Sequence, residues 1–290
     1  VDGGKLQLVR KKGRVSELFS ARGIQGHLGI GHTRWATHGA PSEINAHPHV
    51  YGKFAVVHNG IIENEYSLKE ECRARGDVFS SETDSEVIAH LLDFYYEGNL
   101  VTAVKDTVGR LKGSYALAVV CEECDCIVCV RKASPLVVGI GKNGVYAASD
   151  VSAIAAEGVT VYSLDDGELA VLSTEITFFN QNLVRIQKEK IEYDAEEEIP
   201  DLKGYRHFMR KEMAEIPQVL GKSIYDYTEE TYREFYRILT QTEQIQIVAC
   251  GTAYHSGLCA KYAIESLCRI PVEVCIASEY RYLDPIVRSG

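Results

Sequence analysis

The chain has 290 residues, enough for about two domains of ordinary size. Hydrophobic residues make up 46% and charged residues 25%, a globular composition that excludes a disordered chain, a collagen and a coiled coil. The formal net charge of −10 argues against nucleic acid as a partner, and no apolar run approaches the ~18 residues of a membrane helix. Nine cysteines, an odd number, fit a reducing compartment. We therefore expect a soluble, cytoplasmic protein.

The first two thirds of the chain alternate short apolar strands with a few helices. The four residues Thr83-Asp84-Ser85-Glu86 form a capping-box pattern, which predicts a helix over residues 84–97 with Gly98 as its end. Short apolar runs predict strands at 54–57, 115–120, from 127, at 136–138, 144–146, 169–172 and 176–179. Clustered strands with inserted helices predict an α+β layered sandwich.

An acidic, proline-containing stretch at residues 192–201 reads as an interdomain linker. The helical pattern resumes over residues 208–239, with expected interruptions near Pro217 and Gly221. A βαβ pattern then follows, with a strand at 245–249, a helix at 254–268 and a strand at 272–276. It predicts a parallel, doubly wound sheet. We expect a first domain at 1–191, a linker at 192–212 and a second domain at 213–290, with the second incomplete because two parallel strands cannot bury both faces.

Residues 32–39 form the densest polar cluster. The planar guanidinium of Arg34 suits bidentate capture of a carboxylate, and Thr37 and His38 can add hydrogen bonds. The alternative is a structural pair of Arg34 with a carboxylate, beside Trp35 in a core.

Two further patterns offer polar groups for a ligand. Asn59 and Gly60 supply a side-chain amide and a backbone N–H in succession, as an oxyanion hole requires. Taken alone, however, this Asn-Gly pair is better explained as a hairpin turn. Asp84 is either a carboxylate presented to a ligand ammonium group or a residue stabilised by the helix dipole.

Histidine and cysteine clusters raise the possibility of a metal. His47, His49 and His58 resemble a zinc-ligand pattern on strands, although histidines in ordinary hydrogen bonds are the default. A second candidate is the run Cys121, Cys124, Cys126 and Cys129, for which we favour a hairpin with small apolar thiols. In the second domain, Gly251 and Thr252 offer an anion site at a strand-to-helix junction, or an ordinary turn with Thr252 as the N-cap.

Taken together and in order, these motifs resemble the glutamine–fructose-6-phosphate aminotransferase family. The segments that carry the resemblance are GHTRWATHG at 31–39, NAHP at 45–48, HNGIIEN at 58–64, SETD at 81–84, KGYRHFM at 203–209 and ACGT at 249–252. The resemblance covers essentially the whole chain. It implies an N-terminal-nucleophile hydrolase sandwich of αββα layers, followed by the start of an α/β sugar-isomerase domain.

The resemblance also implies a role for each candidate residue. Arg34, helped by Thr37 and His38, would hold the α-carboxylate of glutamine, and Asp84 would take its α-ammonium group. Asn59 and Gly60 would form the oxyanion hole, and Trp35 would lie where ammonia leaves. In the second domain, Gly251 and Thr252 would contact the sugar phosphate.

The same resemblance sets limits on activity. The family's nucleophile is an N-terminal cysteine, which this chain lacks, and Cys72, on a predicted surface helix, is no substitute. We expect a central fragment that is itself inactive, from an enzyme that converts fructose 6-phosphate and glutamine to glucosamine 6-phosphate and glutamate. That enzyme would need no metal or organic cofactor and would be a homodimer when full length. The alternatives are a non-catalytic amino-acid sensor and an enzyme of the phosphoribosyl-pyrophosphate amidotransferase type.

Overall fold

The computed structural model describes residues 1, 3–18, 26–34, 39–155, 158–192, 202–225, 227–280, 282, 283 and 285. The chain forms two compact units, Val1–Asp201 and Leu202–Gly290. Among the described residues, no helix combines the length and the apolar character that crossing a bilayer demands.

The strands of the first unit form two antiparallel sheets. Those described are numbered β1 to β10 in chain order: His49–Tyr51, Phe54–Ile62, Gly113–Cys121, Ile127–Lys132, Val137–Gly141, Gly144–Ala148, Thr160–Ser163, Leu169–Leu172, Ile176–Phe179 and Arg185–Ile186. One sheet has seven strands in the order β1-β2-β3-β4-β8-β9-β10, and the other has three in the order β6-β5-β7. All of the predicted strands are present. The structure adds β1, β7 and β10, which have three, four and two residues.

Helices cover one face of the seven-stranded sheet. The described helices of this unit are α1 to α4: Val15–Leu18, Glu65–Ala74, Glu86–Tyr95 and Leu100–Val108. Residues of α2, α3 and α4 share one core with alternate residues of β2, β3 and β4. The predicted apolar face of α3 is correct, since Val87, Ile88, Leu91 and Leu92 are fully buried. The prediction that Cys72 lies on a helix surface is wrong, because Cys72 lies on the buried side of α2 in this core.

A second core lies between the two sheets. In β3, Leu117 and Val119 belong to the core under the helices, whereas Ala116, on the opposite face, packs with Val138 of β5. This alternation is what a strand with both faces covered requires. The described residues therefore form three layers: helices, the larger sheet and the smaller sheet. No α-helix follows α4 in the described part of this unit, so the fourth layer of the predicted αββα order is not seen there.

The second unit contains a βαβ motif at its C-terminal side. Its described elements are α5 (Phe208–Tyr225), α6 (Glu229–Leu239), β11 (Ile245–Ala249), α7 (Gly251–Leu267), β12 (Val272–Ile276) and α8 (Ala277–Tyr280). The strands β11 and β12 pair in parallel at the predicted bounds. Helix α7 packs closely on them at Gly257, where a Cβ would lie 2.9 Å from Cγ2 of Ile247.

Two details of the predicted helices are wrong. Helix α5 continues through Pro217 and Gly221, and the break expected there falls after Tyr225 instead. A proline removes one backbone hydrogen bond from a helix without necessarily ending it. Helix α7 begins at Gly251 rather than near residue 254, with Cys250 as its N-cap, so Thr252 is not the cap but a first-turn residue.

Candidate functional site

Asn59 and Gly60 lie inside strand β2 and not in a turn. Gly60 pairs with Tyr115 of β3, and the ladder continues beyond it to Ile62. The hairpin explanation of this Asn-Gly pair is therefore wrong, because nine consecutive pairs with β3 outweigh the local turn preference. Gly60 has a φ of +128°, and a Cβ there would lie 2.1 Å from the carbonyl oxygen of Ser114, so the position requires glycine.

One edge of β2 is open next to these residues. Strand β1 pairs with β2 only from Phe54 to Val56. Beyond that point, the backbone N–H of Ile62 donates to Oδ2 of Asp84 at 2.8 Å. The carboxylate of Asp84 thus takes the place of a neighbouring strand and fixes the segment before α3 against the edge of β2.

Asp84 is a buried carboxylate with neutral partners. It is 4% exposed, and its other oxygen accepts from the hydroxyl of Ser85 at 3.4 Å. Among the described residues, no cationic side chain lies within ion-pair distance of it. A buried carboxylate is costly without a positive partner, and this one is available to a cationic group of a ligand.

Glu86 holds the segment that presents Asp84. Its carboxylate accepts from the backbone N–H and the hydroxyl of both Ser80 and Ser81, at 2.6–2.8 Å. Burial alone would raise the pKa of Glu86, but the nearby ring of His90 and the hydrogen bonds from Ser81 and Ser80 outweigh it and lower the pKa well below its ordinary value. The predicted capping box is therefore wrong: Glu86 reaches these serines, and Ser85 is the N-cap, without a side-chain cap bond.

Arg34 lines the same cavity as Asn59, Gly60 and Asp84. Its guanidinium donates to the carbonyl oxygens of Gly39 at 3.1 Å and Ala40 at 3.2 Å. These two carbonyl groups help to orient the side chain. Arg34 has a φ of +24°, an uncommon backbone conformation for a residue with a side chain.

These groups converge on one cavity of about 300 Å³. Its lining residues are His32, Arg34, His47, His58, Asn59, Gly60, Ile61, Thr83, Asp84, Ser85 and Ser114. A guanidinium, a carboxylate and the Asn59-Gly60 pair therefore share a single space, although they come from three separate stretches of sequence. The predicted site residues Trp35, Thr37 and His38 lie outside the described residues.

The histidines near the cavity make hydrogen bonds and ring contacts. Nδ1 of His58 lies 2.8 Å from the Ser85 hydroxyl, and Nε2 of His49 lies 3.0 Å from the Thr83 hydroxyl. Burial lowers the pKa of His47 to about 2, and burial together with the nearby Arg10 charge lowers that of His49 to about 4. Nowhere in the described part of the chain do three or more His, Cys, Asp or Glu side chains come together to hold a metal ion.

The cysteine run forms a hairpin, as favoured from the sequence. Cys121 ends β3 and Cys129 lies in β4, and the two strands pair antiparallel. Their thiols lie on opposite faces of the sheet, Cys121 in the core under the helices and Cys129 in the core between the sheets. Burial raises the pKa of Cys129 to about 12 and that of Cys126 to about 11, so both thiols stay protonated at neutral pH.

The second unit presents the start of α7 after β11. Gly251 has a φ of +59°, and nothing lies within 4 Å of the position its Cβ would take. The backbone is thus open to close approach at this helix N-terminus. The hydroxyl of Ser256 donates to the carbonyl oxygen of Thr252 at 3.0 Å.

Sequence reasoning missed two of the residues that shape the cavity. His32 contacts both Asn59 and the backbone of Arg34, at 2.7 and 2.9 Å. Ser85 bridges His58 and Asp84. The only sequence signal for these contacts is the density of polar residues at 32–39 and 81–86. Each contact joins residues that are distant in the sequence or depends on the orientation of a side chain, which the sequence does not show.

A comparison with known protein families finds a match within the first unit. Residues 32–156 match the profile of a family described as a glutamine amidotransferase domain. The first unit thus carries a glutamine amidotransferase domain, the class of protein that the cavity suggests.

The sequence relatives are more specific. The chain is 45% identical to the glutamine–fructose-6-phosphate aminotransferase (isomerizing) of Clostridium acetobutylicum, over 99% of this chain and 50% of that protein. The proteins of the same name from Caldanaerobacter subterraneus and Thermus thermophilus are 45% and 42% identical, each over 98% of this chain and 49% of its own length. The resemblance to glutamine–fructose-6-phosphate aminotransferases is confirmed along nearly the whole chain, and the chain spans about half the length of the curated relatives it matches.

Two solved structures resemble this chain, each with a TM-score below 0.5. The glutamine phosphoribosylpyrophosphate amidotransferase from B. subtilis, complexed with ADP and GMP, gives a TM-score of 0.46 at 19% identity, over 84% of this chain and 50% of that chain. The allosteric regulatory enzyme of purine biosynthesis gives a TM-score of 0.46 at 25% identity, over 52% of this chain and 34% of that chain.

Proposed function

We propose that the cavity of the first unit is a glutamine site and that the unit is an N-terminal-nucleophile hydrolase sandwich. The observation that carries this proposal is the buried Asp84 carboxylate, which has only neutral partners among the described residues and lines the same cavity as the Arg34 guanidinium. Opposite charges on one amino-acid-sized cavity match the two charged groups of an α-amino acid.

The proposed roles follow from the chemistry of each group. Asp84 accepts the α-ammonium group, and Arg34 holds the α-carboxylate with a guanidinium that carbonyl groups already orient. The roles proposed for Thr37 and His38, as further donors to that carboxylate, and for Trp35, at the exit of ammonia, follow from the family resemblance, since all three residues lie outside the described part of the chain.

Asn59 and Gly60 are the proposed oxyanion hole. A tetrahedral intermediate at the side-chain amide of glutamine carries a negative oxygen, which the Asn59 amide and the Gly60 N–H can stabilise together. The requirement for glycine at position 60 fits this role, since its backbone must approach other groups closely.

We propose further that the whole protein transfers the released ammonia to fructose 6-phosphate and forms glucosamine 6-phosphate and glutamate. The identity of 45% to a glutamine–fructose-6-phosphate aminotransferase over 99% of the chain supports this step. In the second unit, Gly251 and Thr252 are the proposed contacts to the sugar phosphate, at a helix N-terminus with open backbone. The proposed full-length protein is a cytoplasmic homodimer, and its chemistry uses no cofactor.

Calorimetric titration of chain 1–290 with L-glutamate tests the site. Asp84→Asn removes a charge-assisted hydrogen bond, which should weaken binding roughly 10- to 150-fold. Arg34→Ala should weaken it by a similar factor, whereas Asp93→Asn, on the exposed side of α3, should leave it unchanged. Glutaric acid has no ammonium group, so its binding should not weaken on Asp84→Asn. Equal glutamate affinity in the wild type, Asp84→Asn and Arg34→Ala would refute the assignment.

A further inference from the structure

The hydrogen bonds of His32 fix which of its ring nitrogens carries the proton. The backbone N–H of Arg34 donates to Nδ1 of His32 at 2.9 Å. A nitrogen that accepts a hydrogen bond must offer a lone pair, so the proton of the neutral ring is on Nε2. Burial and the nearby Arg34 charge lower the pKa of His32, and a hydrogen bond with Asn59 only partly offsets them, which keeps the ring neutral at physiological pH.

The same reasoning orients the amide of Asn59. Nε2 of His32 lies 2.7 Å from Oδ1 of Asn59, and because Nε2 is the donor, the oxygen must face the ring. The amide NH₂ of Asn59 therefore points away from His32. Both residues line the same cavity, so the NH₂ group is the part of this amide available to a ligand.

We propose that His32 is a positioning residue, which holds the Asn59 amide with its NH₂ group toward the cavity and so sets the oxyanion hole. This inference rests on the proposed glutamine site. Without the donor on His32, the Asn59 amide is free to turn over and present its oxygen to the developing oxyanion. That orientation repels the negative charge instead of stabilising it.

The surroundings of His32 support a fixed ring. The ring of His47 lies 4.3 Å from that of His32, measured between centroids. His47 is 9% exposed, and within the described part of the chain neither of its ring nitrogens has a hydrogen-bond partner. His47 thus packs against the His32 ring and makes no hydrogen bond with it. Nδ1 and Nε2 of His32 keep their hydrogen bonds with Arg34 and Asn59.

Two substitutions separate the functions of the two nitrogens. Glutamine places its amide near the position of Nε2, so His32→Gln retains a donor for Asn59. Asparagine ends near the position of Nδ1, so His32→Asn retains the acceptor for Arg34 but loses the donor for Asn59. The two variants are similar in polarity, and only His32→Asn loses the contact with Asn59 that the proposal needs.

Glutamine hydrolysis by the full-length protein gives the kinetic test. His32→Asn should lower kcat by roughly 100- to 1,000-fold, the effect of losing one oxyanion donor, while KM changes less than about threefold. His32→Gln should retain kcat within about tenfold of the wild type. Because His32 acts through Asn59, the double variant His32→Asn/Asn59→Ala should be no slower than Asn59→Ala alone. A double variant slowed by the product of the two single effects overturns the proposal.

A second measurement needs no activity. Long-range ¹H–¹⁵N spectra of chain 1–290 with ¹⁵N-labelled histidine, assigned by the signal missing from His32→Gln, should show His32 protonated at Nε2 alone at pH 7. Protonation at Nδ1 overturns the proposal, even if His32→Asn fails to fold. The glutamate titration tests the glutamine site separately. If the wild type, Asp84→Asn and Arg34→Ala bind glutamate equally while His32 shows the expected tautomer, the proposed function is refuted and the orientation of Asn59 stands.

Discussion

The buried histidines beside the cavity should make the stability of the first unit depend on pH. His47 is 9% exposed and His49 is 1% exposed. Burial lowers the pKa of His47 from 6.5 to about 2, and burial with the nearby Arg10 charge lowers that of His49 from 6.5 to about 4. In the unfolded chain both histidines return to the ordinary value.

The sign and the size of the effect follow from linkage. As the pH falls below 6.5, His47 and His49 bind protons in the unfolded state but stay neutral in the folded state. The free energy of unfolding therefore falls between about pH 6.5 and pH 4. Each pH unit within this window costs about 1.4 kcal/mol per histidine. Between pH 7 and pH 5, each of the two histidines should therefore cost about 2 kcal/mol of unfolding free energy. That loss is a large part of the ~5–15 kcal/mol that stabilises a typical domain.

The substitution His47→Leu isolates one of the two contributions. Urea unfolding should be measured at pH 7 and pH 5, with hydrogen exchange of peptides from β2 and β3 as a readout specific to the first unit. His47→Leu should reduce the pH-dependent loss by about 2 kcal/mol relative to wild type, whatever its stability at pH 7. His255→Gln, an exposed histidine of the second unit, is the control and should change nothing. An unchanged loss between pH 7 and pH 5 in His47→Leu would refute the reasoning.

Two further predictions concern Gly60 and the chemistry of the isolated chain. Gly60→Ala places a Cβ 2.1 Å from the Ser114 carbonyl oxygen at a positive φ, and should destabilise the first unit by about 3 kcal/mol or more in urea unfolding. Gly98→Ala, with a positive φ but nothing within 4 Å, should cost only about 1 kcal/mol; equal losses would rule out the clash as the cause. All nine cysteines are described and none lines the cavity. Chain 1–290 should therefore release no ammonia from glutamine above a heat-denatured control. Turnover above that control would show that another nucleophile hydrolyses glutamine.

Local patterns in the sequence were enough to predict most of the fold. The continuous apolar run of residues 115–120 predicts a buried strand, and the period near 3.6 in residues 87–95 predicts the buried face of a helix, and both predictions are correct. The βαβ unit of the second domain could also be predicted, because two short and mostly apolar segments flank a stretch with a helical pattern. Helix α4 was missed although Asn99 caps it with two hydrogen bonds, to the N–H groups of Val101 and Thr102.

The failures occur where a tertiary contact outweighs a local preference. Asn59 and Gly60 have the local chemistry of a turn, yet pairing with β3 extends the strand through them. Glu86 has the spacing of a capping box, yet its carboxylate finds four donors in Ser80 and Ser81. Each of these residues lies in the cavity wall or supports it. A local rule is broken most readily at sites where the structure needs a particular group in a particular place.

The charges that line the cavity favour a zwitterion, as the proposed glutamine site requires. Asp84 is buried with a backbone N–H and a hydroxyl as partners, and these neutral dipoles compensate only part of the cost of removing a carboxylate from water. A ligand ammonium group at Asp84 supplies the missing positive charge. A ligand without a carboxylate would add net positive charge near Arg34, and one without an ammonium group would leave Asp84 as it is. An α-amino acid meets both charges at once, so its affinity should exceed what either half gives alone.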